Sequence, residues 1–178
     1  IAAATDSTYQ TPSLTPDNYS YRVIVSDDGP CDPDTSGCFE VSVVADPSIT
    51  SQPVNDSICI GGTATFSVTA TGGTPSLTYQ WQYDNGGTWE NVTNTSPTGV
   101  SYSGATSTSL TVNTTGTTPV GNYDYRVLVN ATGLDCDTAF SDTARMVVFA
   151  DPTISVQPVG DEICDGDTYN LSVTASGT

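Results

Sequence analysis

The feature that most constrains this chain is that it repeats itself. "ADPSITSQPV" at residues 45–54 returns as "ADPTISVQPV" at 150–159, an offset of 150 − 45 = 105. "ICIGGTATFSVTATG" (58–72) returns as "ICDGDTYNLSVTASG" (163–177) at the same offset. "NYSYRVIV" (18–25) returns as "NYDYRVLV" (122–129) at 122 − 18 = 104. A period near 105 fits one β-sandwich domain of about 100 residues. Residues 46–149 are therefore expected to form one complete repeat. Residues 1–45 are expected to be the C-terminal half of a repeat before it, and 150–178 the N-terminal strands of a repeat after it. Neither flank holds a counterpart of "YQWQYDNGGTWENV" (79–92), the middle of the repeat. The chain reads as a window on a longer periodic object.

Within the central repeat, turn residues interrupt the chain every 8–12 residues and the runs between them alternate. That pattern predicts an all-β fold, and no segment has helical periodicity. Strands are expected at 48–54, 63–70, 77–83, 108–112, 122–130 and 138–149. Between 63 and 70, Ala64, Phe66, Val68 and Ala70 face one way and the threonines and Ser67 the other. "DNGG" (84–87) reads as a hairpin turn, with Asn-Gly supplying positive φ. Trp89 and Val92 follow on the returning strand. The predicted core is built on Phe66, Trp81, Tyr123 and Tyr125.

Charge narrows the functional classes. Three arginines (Arg22, Arg126, Arg145) stand against 20 acidic residues, with no Lys and no His, for a net charge of −17. Such a chain has little with which to neutralise phosphates, so the charge argues against nucleic acid and anionic membranes as partners. No apolar run approaches the ~20 residues of a membrane-spanning helix. Without His or Lys, and without a serine in a nucleophile elbow, no catalytic constellation stands out. Glu40, Glu90 and Glu162 all fall at predicted strand edges or turns. The chain is expected not to be an enzyme and to carry no cofactor.

The lone Trp81 on one strand, followed by "VGNYDYRVLV" (120–129), resembles the immunoglobulin-like sandwich. Tyr123 matches the tyrosine-corner position of that family. Tyr125 stands where antibody domains place a cysteine, and Phe66 or Val68 stands at the other end of that missing bridge. The longer wording, from "SQPVNDSICIGGTATFSVTATGG" to "YRVLVNATGLDCDTAFSDTARMVV", resembles the repeats of giant cell-surface proteins of Bacteroidota. These are exported by type IX secretion and include gliding-motility adhesins. The resemblance covers the whole chain and implies an extracellular, surface-attached or secreted tandem array. It also implies looking for O-glycans at Asp-Ser/Thr-apolar triplets, which here centre on Ser7, Ser57, Thr138 and Thr143.

Five cysteines, Cys31, Cys38, Cys59, Cys136 and Cys164, are dispersed without a C-x-x-C pair, which fits an oxidising compartment. In an immunoglobulin-like topology, Cys59 and Cys136 fall in turns at opposite ends of one sandwich. Strands of 9–10 residues set those ends roughly 30 Å apart, and a disulfide needs Cα atoms within about 7 Å. One arrangement bonds the Cys59-type thiol of one repeat to the Cys136-type thiol of the next. A local Cys31–Cys38 clip is the alternative for that pair.

Two further site classes are expected on residue chemistry. Asp32 with Asp34, and Asp165 with Asp167, have part of a calcium-loop pattern without its closing Glu, and a module junction is the best place for Ca²⁺. Tyr9, Tyr83, Trp89 and Tyr102 are candidates for an exposed aromatic strip that binds sugar. The leading expectation is a structural segment of an extended surface filament or adhesin stalk, whose partners are neighbouring repeats. The alternative is a module that itself grips extracellular glycans or a surface.

Overall fold

The structure, a computed structural model, describes residues 6–94, 96–133 and 136–177. It is all-β: no helix occurs among the described residues. Before the central repeat lie β1 (Asp17–Tyr21), β2 (Ile24–Val25), β3 (Asp34–Thr35) and β4 (Phe39–Val43). The central repeat holds β5 (Ser48–Ser51), β6 (Asp56–Cys59), β7 (Thr63–Ser67), β8 (Thr69–Thr71), β9 (Leu77–Asp84) and β10 (Trp89–Asn91). It continues with β11 (Val100–Ser103), β12 (Ser109–Thr114), β13 (Gly121–Ala131), β14 (Ala139–Phe140) and β15 (Ala144–Phe149). After it come β16 (Thr153–Val156) and β17 (Thr174–Ser176).

The central strands make an immunoglobulin-like sandwich. One sheet runs β10-β9-β13-β15-β6, with β14 on the end of β13; the facing sheet runs β11-β12-β7, and β5 pairs with β8. Alternation decides which residues enter the space between them. Along β7, Ala64 and Phe66 are buried while Thr63, Thr65 and Ser67 are exposed. Along β13, Tyr125, Val127 and Val129 are buried. Register places Trp81 opposite Val127 and Tyr83 opposite Tyr125. Phe66 approaches Tyr125 at 5.2 Å and Trp81 at 6.4 Å between ring centroids. Aromatics thus fill the volume where related domains place a disulfide. Burying Phe66, Trp81 and Tyr125 contributes on the order of 2–3 kcal/mol each. The Trp81 indole N–H is satisfied by Ser107 O at 2.9 Å. Tyr123 is not a core residue in the same sense: it is half-buried, because its hydroxyl reaches out to donate to Pro119 O at 2.8 Å.

Several expected elements are reshaped. The strand predicted at 48–54 ends at Ser51, and a separate β6 pairs in parallel with β15. Pro53 lies between the two strands, and without an N–H it cannot extend a ladder. Gln52 and Asn55 carry the crossing instead, accepting the N–H groups of Asp142 and Arg145. The strand predicted at 138–149 is broken at 141–143, where Ser141 turns inward and its Oγ accepts Val127 N–H at 2.9 Å. β11 was not expected, although "VSYS" alternates. In the hairpin, Asn85 pairs with Thr88, so Gly86 and Gly87 take the positive φ values, 67° and 96°. Tyr83 and Tyr102 face inward and are buried, which removes them from any exposed strip.

The flanking strands repeat the central pairing in detail. Asp17↔Val43 corresponds to Gly121↔Val148, and Ile24↔Thr35 to Leu128↔Phe140. The β5–β8 ladder, with its irregularity between Ile49 and Ser51, recurs 105 residues on in β16–β17, between Ile154 and Val156. Side-chain bonds recur too. Tyr19 donates to Thr15 O as Tyr123 does to Pro119 O. Ser36 Oγ accepts Val23 N–H as Ser141 Oγ accepts Val127 N–H. Burial does not recur. Val127 and Val129 are fully buried, whereas Val23 and Val25 are 53% and 64% exposed.

Candidate functional site

Three places on the central sandwich carry distinctive chemistry. The first is its entry. Ala45 O accepts Gly73 N–H at 2.8 Å, Asp46 Oδ1 accepts Asp137 N–H at 3.2 Å, and Pro47 is buried. The incoming segment is thereby held by two loops of the sandwich it enters. Gly72 makes this possible: its φ is +82°, and a Cβ there would stand 2.2 Å from Asp46 O. Gly177, 105 residues later, lies less tightly against Pro152, whose Cα would stand 3.1 Å from an added Cβ.

The second is the exit. Cys59, the last residue of β6, is the parallel partner of Phe149, the last residue of β15. Ile60 N–H donates to Phe149 O at 3.0 Å. Cys136 lies next to Asp137 at the entry, so the two cysteines stand at opposite ends of the sandwich. Cys31, Cys38, Cys59 and Cys164 are exposed thiols, and Cys136 is half-buried.

The third is the outer face of the β10-β9-β13 sheet. The Arg126 guanidinium lies between two rings, 4.4 Å from the Trp89 centroid and 4.9 Å from that of Phe140. Its Nε donates to Gln82 Oε1 at 3.0 Å, and Gln82 Nε2 donates to Asn91 Oδ1 at 3.1 Å. Beside it, Arg145 holds Asp124 through Nε and Nη2, both at 2.8 Å. That partner raises the Arg145 pKa above its ordinary value. Glu90 is pulled below the usual carboxylate range by hydrogen bonds from Asn85 and Tyr83. Trp89 was a candidate from the sequence and Arg126 and Phe140 were not; the available signal was the single arginine in "YDYRVLV" falling on the outward alternation.

The other candidates stay apart. Asp32, Asp34, Asp165 and Asp167 are exposed, and Asp34 Oδ1 is taken by Thr35 N–H. No cluster of three or more His, Cys, Asp or Glu forms among the described residues. Ser7, Ser57, Thr138 and Thr143 are all exposed, with Ser57 in β6 rather than in a turn and Thr138 Oγ1 donating to Asn130 Oδ1. Tyr9 is 44% exposed but belongs to the preceding segment, where it lies beside Tyr21. No described helix is long and apolar enough to cross a membrane.

No protein-family model and no curated protein matches the chain. Solved structures of similar shape include Drosophila OTK extracellular domains 3–5, 22% identical with a TM-score of 0.49, covering 89% of this chain and 48% of that one. Sidekick-1 immunoglobulin domains 1–5 are 18% identical with a TM-score of 0.45, covering 90% of this chain and 33% of that one. A chimeric titin Z1Z2 is 21% identical with a TM-score of 0.43, covering 61% of this chain and 99% of that one. At this level of similarity the sandwich is identified by its own strand order rather than by these likenesses.

Proposed function

We propose that the chain is a segment of an extended extracellular filament or adhesin stalk, built from tandem immunoglobulin-like repeats with no catalytic role. One observation carries the reading. Pairing, register irregularity and side-chain hydrogen bonds of the central sandwich recur at offsets of 104 and 105 residues on both sides of it. Apolar positions buried in the centre are open in the flanks, as strands of sandwiches whose facing sheet is not present would be. On this reading residues 46–149 are one whole repeat and the flanks are parts of its neighbours. The docked entry supports a stiff joint, since a step held by Ala45, Asp46 and buried Pro47 has little freedom to swivel. In repeat proteins stability is roughly a sum of units and nearest-neighbour contacts, so length is extended without redesign.

The exposed Cys59 and the half-buried Cys136 fit a second device in the same reading. A Cys59-type thiol leaves one repeat at the end where the Cys136-type thiol of the next would enter. The resemblance to Bacteroidota surface proteins points to type IX export for such an array. The test is the dimension of tandem copies of residues 46–149 in solution. β13 is 11 residues long, so each added copy should extend the particle by about 35–40 Å at about 3.3 Å per residue. Small-angle scattering that instead showed compact growth would reject the stalk.

A further inference from the structure

The outer sheet face carries a cation that no described residue of the chain neutralises. Arg126 makes no ion pair among the described residues, although the sequence holds 20 acidic residues. The nearby acids are engaged elsewhere. Asp124 is held by Arg145, Asp84 Oδ1 accepts Gly87 N–H at 2.7 Å, and Glu90 takes Asn85 and Tyr83. Among the described residues the Arg126 side chain donates through Nε alone, to a neutral amide, and its terminal N–H groups meet no acceptor there. Two rings fix the plane of the guanidinium, so its fork is oriented before any partner arrives. Phe140 remains 52% exposed and Trp89 half-buried, so apolar edge is left beside the charge.

The geometry points to a binding site for a carboxylate-bearing saccharide on this face, with Arg126 receiving the carboxylate. The exposed edges of Trp89 and Phe140 meet the C–H surface of the sugar ring, while Gln82 and Asn91 supply amide partners for hydroxyls. Charge complementarity favours a uronate sugar over a second copy of this chain. A second copy brings a net charge of −17 to an identical −17, whereas a sugar acid brings one carboxylate per ring. The site is also particular to this repeat. Arg22, the counterpart of Arg126 104 residues earlier, is exposed, and Thr35 stands where Phe140 would be. The site does not depend on the stalk reading, because one sandwich contains all of it.

The test is NMR titration of the whole chain, in the presence of chelator, with a glucuronate-containing tetrasaccharide and with its carboxyl-reduced form. The acid form is expected to shift the Trp89 indole N–H and the Arg126 Nε–H saturably. The reduced form and Arg126→Gln are each expected to weaken binding at least tenfold. Phe140→Thr keeps the site assessable should Arg126→Gln not fold, and is expected to weaken binding severalfold; Arg22→Gln should change nothing. Equal binding of the two saccharides, shifts located elsewhere, or no response would overturn the proposal. So would a concentration-dependent sedimentation rate abolished by Arg126→Gln without any saccharide response, which would place a second copy on this face instead.

Discussion

The Asp46 carboxylate accepts the backbone N–H of Asp137 at 3.2 Å, across 91 residues of sequence. It ties the entry of the sandwich to the loop after β13, and with the Ala45–Gly73 bond it holds the incoming segment in one direction. Removing the acceptor by Asp46→Ala should cost about 0.5–1.5 kcal/mol of stability. The larger effect is expected on orientation. Residual dipolar couplings of the preceding segment should fall relative to the sandwich, while couplings inside the sandwich stay the same. Unchanged couplings in both would show that the bond does not set the joint.

Gly72 is the more severe test of the same joint. Its φ of +82° is unfavourable for any residue with a Cβ, and that Cβ would lie 2.2 Å from Asp46 O. Gly72→Ala should therefore destabilise the sandwich by about 1–3 kcal/mol, from backbone strain together with displacement of the entry. Gly116→Ala provides the contrast, because nothing lies within 4 Å of its Cβ position and its φ is not in the left-handed region. Urea unfolding should separate the two variants clearly; equal midpoints would contradict the close packing at Gly72.

Trp81 is fully buried between the sheets, with its N–H bonded to Ser107 O. Trp81→Phe retains much of the volume but leaves that carbonyl unpaired and a partial cavity, at an expected cost of about 1–3 kcal/mol. Phe66→Ala removes a ring in contact with both Trp81 and Tyr125, for about 3–5 kcal/mol. If Phe66→Ala cost less than Trp81→Phe in chemical denaturation, the aromatic cluster would not be the centre of the core.

What the sequence showed depended on how local the determining physics was. The repeat and the inward alternation of Ala64, Phe66, Trp81 and Tyr125 were legible because period and burial are written directly in residue order. The crossing of the chain between sheets at Gln52–Asn55 was not, because it depends on side chains meeting Asp142 and Arg145 some 90 residues away. Ser141 likewise reads as a strand residue until Val127 N–H is seen to need it. Tyr83 and Tyr102 look like surface aromatics in a Thr-rich context, but their register opposite Tyr125 and Val112 turns them inward. Arg126 gave a weak signal alone, since its two rings come from β10 and β14.

Alkaline pH offers a test of the buried tyrosines. Burial, its largest cause, pushes the Tyr102 pKa up to about 12, and burial with the neighbouring Tyr102 pushes Tyr125 higher. In the unfolded chain both titrate near about 10. Between those values the unfolded state has released protons that the folded state keeps, so stability falls as pH rises. The tyrosine contribution is fully present below about pH 10, then declines by about 1.4 kcal/mol per pH unit for each such group. The unfolding free energy from urea titrations should therefore bend downward above about pH 10. In the folded chain, phenolate absorbance from Tyr102 should appear only toward about pH 12, and that from Tyr125 later still. Their hydroxyls lie 3.4 Å apart, so Tyr102→Phe should alter neutral stability little and make the alkaline decline shallower by one group. Phenolate formation at either residue near pH 10 in a still-folded chain would contradict their burial.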